Sequence, residues 1–106
     1  MVGLFLGAAR YQIPVITDGF ISTAAAALAY AVAPHVKEYL FAGHCSKEPG
    51  HRFLLEYLGL DAVLTLEMRL GEGTGAVLAM PIIESAVRLY TDMATFASAG
   101  VSGPSE

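Results

Sequence analysis

The stretch Ile13-Pro14-Val15-Ile16-Thr17-Asp18-Gly19 decides the fold class. Ile13, Val15, Ile16 and Thr17 are β-branched, Pro14 stands near the start, and Asp18-Gly19 supplies turn chemistry at the end. The apolar run is continuous rather than alternating. That pattern predicts a strand buried on both faces, which is the habit of a parallel sheet. Working outward, Ser22 and Thr23 are placed to cap a following helix of alanines that runs to Ala33 and stops at Pro34. Upstream, residues 3–11 read as a short helix, apolar almost all round, which predicts full burial.

The order then repeats. Tyr39 to Gly43 is a second strand, His44 to Gly50 a polar loop, and His51 to Leu58 a third helix ended by Gly59. The run from Ala62 to Met68 reads as a further strand. After the glycine-rich loop Arg69-Leu70-Gly71-Glu72-Gly73, residues 74–97 read as one long helix that Pro81 should kink or divide. Glu84 and Arg88 form an i,i+4 pair on it. The expected fold is α/β: part of a Rossmann-like parallel sheet with flanking helices and a long C-terminal helical segment, over residues 1–100. Residues 101–106 read as a polar tail.

Composition narrows the function classes. The 106 residues are 55% hydrophobic and 15% charged, more apolar than a domain this small ordinarily needs. Some faces are therefore expected to pack against further polypeptide. A net charge of −4 with no Lys/Arg cluster argues against nucleic acid. No run reaches the roughly 18–20 apolar residues of a membrane span, and the first residues lack the basic region of a signal peptide. Cys45 is the one cysteine and cannot form an internal disulfide. The expectation is a soluble, cytoplasmic protein without membrane partners.

In open parallel sheets, ligands bind beyond the carboxyl ends of the strands. Those ends carry Asp18-Gly19, Gly43-His44-Cys45-Ser46 and Gly71-Glu72-Gly73, so the unusual polar residues share one rim. Glu72 reads either as a general base on a glycine hinge or as a carboxylate complementing a helix dipole. A phosphate cradle fits less well, because a carboxylate repels phosphate and no P-loop lysine follows. Ser46 could donate to a ligand or be a plain loop serine, and Asp18 could simply cap its turn. His44, Cys45 and His51 match no metal-ligand spacing and read as solvated loop residues. Neither a metal nor a cofactor is called for.

Three motifs, Asp18-Gly19-Phe20-Ile21-Ser22, Ser46-Lys47-Glu48-Pro49-Gly50-His51 and Leu70-Gly71-Glu72-Gly73-Thr74-Gly75-Ala76, fall in order along the chain. Together they resemble the C-terminal portion of the nicotinate-nucleotide–dimethylbenzimidazole phosphoribosyltransferase family. The resemblance implies transfer of ribose phosphate from nicotinate mononucleotide to 5,6-dimethylbenzimidazole, giving α-ribazole 5′-phosphate and nicotinate for the lower ligand of cobalamin. It implies Glu72 as catalytic base, with Leu70 as an apolar wall for the planar base and Gly71 and Gly73 beside it. Gly19 and Ser46 would line the nucleotide side. It also implies a homodimer, and a longer protein of which this chain holds half a site. The rival readings are an inactive truncated fragment and a generic nucleotide-binding or assembly module of the same fold.

Overall fold

A computed structural model describes residues 1–103, so residues 104–106 of the expected tail lie outside the described residues. Its elements are α1 (Val2–Arg10), β1 (Val15–Thr17), α2 (Phe20–Val32), β2 (Leu40–His44), α3 (Pro49–Leu58), β3 (Ala62–Leu64), α4 (Thr74–Asp92) and α5 (Phe96–Ala99), with a 3-10 turn at Pro34–Tyr39 before β2. The sheet is parallel in the order β1-β2-β3, with Thr17 beside Ala42 and His44 beside Leu64. The α/β parallel architecture is the expected one.

Successive strand residues face opposite sides of a sheet, and β2 shows what each side does. Leu40 belongs to a core of Phe5, Ala9, Val36, Leu58 and the alanines of α2. Gly43, three residues on, lies against the start of α4, where an added Cβ would meet Ala76 Cα at 3.0 Å. Helices α1 to α3 therefore cover one face and α4 the other. The small side chains of α2 (Ala25, Ala26, Ala27 and Ala29, all buried) bring it close to its neighbours.

Several expectations need correction. The α1 helix is not fully buried: Phe5 and Ala9 face the core, while Leu4 on the other side is exposed. Val15 and Ile16 of β1 are half-buried: Val15 packs against the core of α1 to α3, and β1 stands at the edge of the three-stranded sheet. Strand β3 stops at Leu64, short of the expected Met68. Ser22 and Thr23 do not cap α2. Gly19 is the N-cap, and both hydroxyls donate back to its carbonyl, at 3.1 and 2.8 Å. Helix α4 runs unbroken through Pro81, and the long segment divides instead at Met93, whose extended backbone ends α4. Thr95 and Ser98 then form a reciprocal capping box that starts α5. The Glu84–Arg88 pair is present at 3.5 Å on the exposed side. No helix among the described residues is long and apolar enough to cross a membrane.

Candidate active site

The carboxyl ends of the three strands converge on an open cleft of about 560 Å3. Gly19, Ser46, Gly71, Glu72 and Gly73 all line it, joined by Asp18, His44 and Glu48. Leu70 is not part of the lining and is 68% exposed. Phe20, Ile21 and Met68 supply the apolar wall instead.

Three consecutive residues, Gly71, Glu72 and Gly73, have left-handed backbone, with φ of 77°, 57° and 78°. For the two glycines this is unstrained, but for Glu72 it costs about 1–2 kcal/mol. Such a conformation persists only where its surroundings over-determine it. Here Thr74 N–H donates to Gly71 C=O at 3.0 Å and Val77 N–H to Gly73 C=O at 2.9 Å.

Helix α4 has no side-chain cap of its own. Asp18 supplies one from β1's end. Its Oδ2 accepts from Gly73 N–H at 3.1 Å, and its Oδ1 accepts from Gly75 and Ala76 N–H at 2.9 and 3.2 Å. Asp18 thus satisfies three amides of the helix start and faces its positive dipole end. It does far more than cap its own turn, and it fills the dipole-complementing role that Glu72 could otherwise have held. Of the three carboxylates that line the cleft, Asp18 is bound to α4 and Glu48 faces Arg69 at 3.9 Å. Glu72 has no hydrogen-bond or ion-pair partner among the described residues.

His44 and His51 are not solvated loop residues. They are 3% and 0% exposed, and their rings meet edge-on at 5.8 Å. Ser46 N–H donates to His51 Nδ1 at 3.0 Å, which leaves the ring proton on Nε2. That proton goes to Thr23 Oγ1 at 2.9 Å, and the Thr23 hydroxyl donates to Gly19 C=O. The Ser46 hydroxyl also sits 2.8 Å from His51 Nδ1, so the donor expected for a ligand is engaged within the protein. This chain of bonds ties the Ser46 loop to the Gly19 turn, and neither His51 nor Thr23 was a sequence candidate for it. Among the described residues no cluster of three His, Cys, Asp or Glu side chains could hold a metal.

Burial pushes His51 below its ordinary value, the neighbouring His44 lowers it further, and Asp18 acts in the opposite sense. A proton on Nδ1 would set two donors against each other. The fold therefore prefers neutral His51, and its contribution to stability is complete above about pH 6.5 and lost as pH falls through the lowered folded value. Thermal unfolding of the chain between about pH 7.5 and pH 5 should show this loss. His51→Gln, which cannot protonate, should flatten the curve relative to the unsubstituted chain, and parallel curves would contradict the assignment.

A family model described as phosphoribosyltransferase matches residues 1–101. The chain is 64% identical over 102 residues to the nicotinate-nucleotide–dimethylbenzimidazole phosphoribosyltransferase of Desulforamulus reducens, and 60% identical over 102 residues to that of Dehalococcoides mccartyi. Each alignment covers 96% of this chain and 29% of the relative, so the chain spans under a third of the length of these relatives. The crystal structure of the enzyme of the same name from Thermus thermophilus superposes with a TM-score of 0.92 at 51% identity, covering 97% of this chain and 31% of that one. With residues 1–101 matched by the family model and 97% of the chain covered by the superposition, the chain belongs to the phosphoribosyltransferase family.

Proposed function

We propose that this chain supplies the proton-accepting half of a site that moves ribose phosphate from nicotinate mononucleotide to 5,6-dimethylbenzimidazole. The observation that carries the reading is the unengaged carboxylate of Glu72, held on a left-handed turn at the mouth of an apolar-walled cleft. One benzimidazole nitrogen attacks C1′ of the ribose while the C1′–N bond to nicotinate breaks. The bonding pair leaves with nicotinate, whose ring becomes neutral, so no acid is needed there. The proton on the other benzimidazole nitrogen passes to Glu72, which prevents positive charge from building on the base. Attack opposite the leaving group converts the β-riboside to an α-riboside. One carboxylate suffices, unlike the pair a glycosidase uses.

Phe20, Ile21 and Met68 offer the flat base an apolar wall. Gly19 and Ser46 face the nucleotide, and Gly71 and Gly73 leave room beside Glu72. The remaining polypeptide of the family length, and a second copy in a homodimer, cover the apolar residues of α4. Val77, Leu78, Ile82, Val87, Leu89 and Tyr90 are all exposed, spread around most of the helix. The single cysteine suits a reducing cytoplasm.

The test uses a full-length background in which this chain replaces its 102-residue counterpart in the Desulforamulus reducens relative. Liquid chromatography should show nicotinate released only when dimethylbenzimidazole is present, and sedimentation should report a dimer. The 106-residue chain alone should release little or none. An inactive full-length background would leave the assembly-module reading in its place, and full activity of the short chain would refute the half-site.

A further inference from the structure

We propose that Asp18 is the positioning residue for Glu72. It holds the carboxylate in its working direction by fixing the peptide unit that follows it. The inference rests on the transfer reading above, in which Glu72 takes the proton.

Gly71 and Gly73 have open space where a Cβ would stand, so packing does not fix the loop there. Hydrogen bonds must do it. The N–H of Gly73 and the C=O of Glu72 belong to one planar peptide unit. When Asp18 Oδ2 accepts from that N–H at 3.1 Å, it orients the plane and so sets ψ of Glu72. The backbone at Glu72, already left-handed, is then defined on the side from which its side chain departs. The second oxygen, Oδ1, is anchored to Gly75 and Ala76 in the first turn of α4. One rigid carboxylate thus joins the end of β1, the peptide after Glu72 and the start of α4.

Asp18 is itself braced. Its backbone N–H donates to Ser22 Oγ at 2.9 Å. Buried His44 stands behind it, with Nδ1 3.7 Å from Oδ1 and no hydrogen-bond partner among the described residues. A displacement of the Asp18 carboxylate would therefore carry the Glu72 turn with it, while Gly19 and Ser46 stay tied through Thr23 and His51. The nucleotide side of the cleft has ties of its own, whereas the peptide after Glu72 is held by Asp18 directly.

A double-substitution cycle in the full-length background tests this. Asp18→Asn keeps the shape but places an amide where one acceptor oxygen stood. It should lower kcat about 30–100-fold, the scale of an ångström's misplacement, and leave KM for nicotinate mononucleotide within about 3-fold. On the Glu72→Gln background the same change should cost less than about 2-fold, because nothing remains to be positioned. Asp18→Glu keeps the charge and the cap one methylene further out, so it should fold normally and still lose at least about 10-fold in kcat. A full multiplicative loss from Asp18→Asn on the Glu72→Gln background would make Asp18 merely structural and overturn the proposal. So would a normal kcat in Asp18→Glu. If instead the unsubstituted background releases no nicotinate, the transfer reading itself has failed.

Discussion

Glu72→Gln is expected to lower kcat for nicotinate release by about 10²–10⁴-fold, the usual contribution of a general base, with nucleotide binding nearly unchanged. The two side chains have the same shape, and Glu72 is exposed and unpartnered among the described residues. Folding should therefore shift by no more than about 0.5 kcal/mol. That separation distinguishes the two readings of this residue. Had Glu72 served the dipole of α4, its loss would appear as about 0.3–1 kcal/mol of stability and leave turnover alone. The geometry makes this second outcome hard to reach, since Asp18 already occupies the amides of Gly73, Gly75 and Ala76. The attacking nitrogen needs its partner N–H relieved of a proton only as the bond forms, so the effect should fall on kcat rather than on KM. Steady-state kinetics in the full-length background provide the check. A variant with near-normal kcat would remove Glu72 from the chemistry.

Local chemistry explains what could be read from the sequence. Ile13 to Gly19 gave away a parallel strand because β-branched residues on successive positions suit a central sheet, and Gly59 marked the end of α3 by taking the left-handed conformation glycine prefers (φ 64°). The rim also followed, because strand ends in a parallel sheet must share one edge. Long-range bonds were hidden. Nothing near Asp18 announces a partner 55 residues away. The one trace is negative: Gly73 precedes α4 where Ser, Thr, Asp or Asn would ordinarily cap it, so the cap had to come from elsewhere. His51 left a clearer trace. It stands four and seven residues before Leu55 and Leu58, on the buried stripe of α3, where a histidine must find polar partners. Pro81 does not divide α4, which continues through it from Thr74 to Asp92. The break falls at Met93 instead, where Thr95 and Ser98 offer the backbone a new start.

The largest loss of stability is expected from Gly43→Ala. A Cβ there would lie 2.7 Å from Thr17 O, 3.0 Å from Ala76 Cα and 3.1 Å from Gly75 O. All three are backbone atoms, so no side chain can swing aside. Strand β1 and the first turn of α4 would have to part from β2. Overpacking of this kind costs about 1–3 kcal/mol and occasionally more. Three backbone neighbours put Gly43→Ala at the upper end of that range, which in a domain of this size is a fall in Tm of more than about 10 °C. Gly50→Ala is the control, because its nearest obstacle is the ring of Phe20, a side chain that can turn away. It should melt several degrees higher than Gly43→Ala. The substitution also reaches the site. The close approach at Gly43 is what brings the amides of α4 within reach of Asp18, so moving α4 outward stretches those bonds and carries Glu72 away from the cleft. In the full-length background, Gly43→Ala should therefore lose transfer even at temperatures where it stays folded. Thermal unfolding of the two variants beside the unsubstituted chain decides the matter. If Gly43→Ala melted within about 3 °C of the unsubstituted chain, less than the shift that 1 kcal/mol produces, this contact would not be what seats α4 on the sheet.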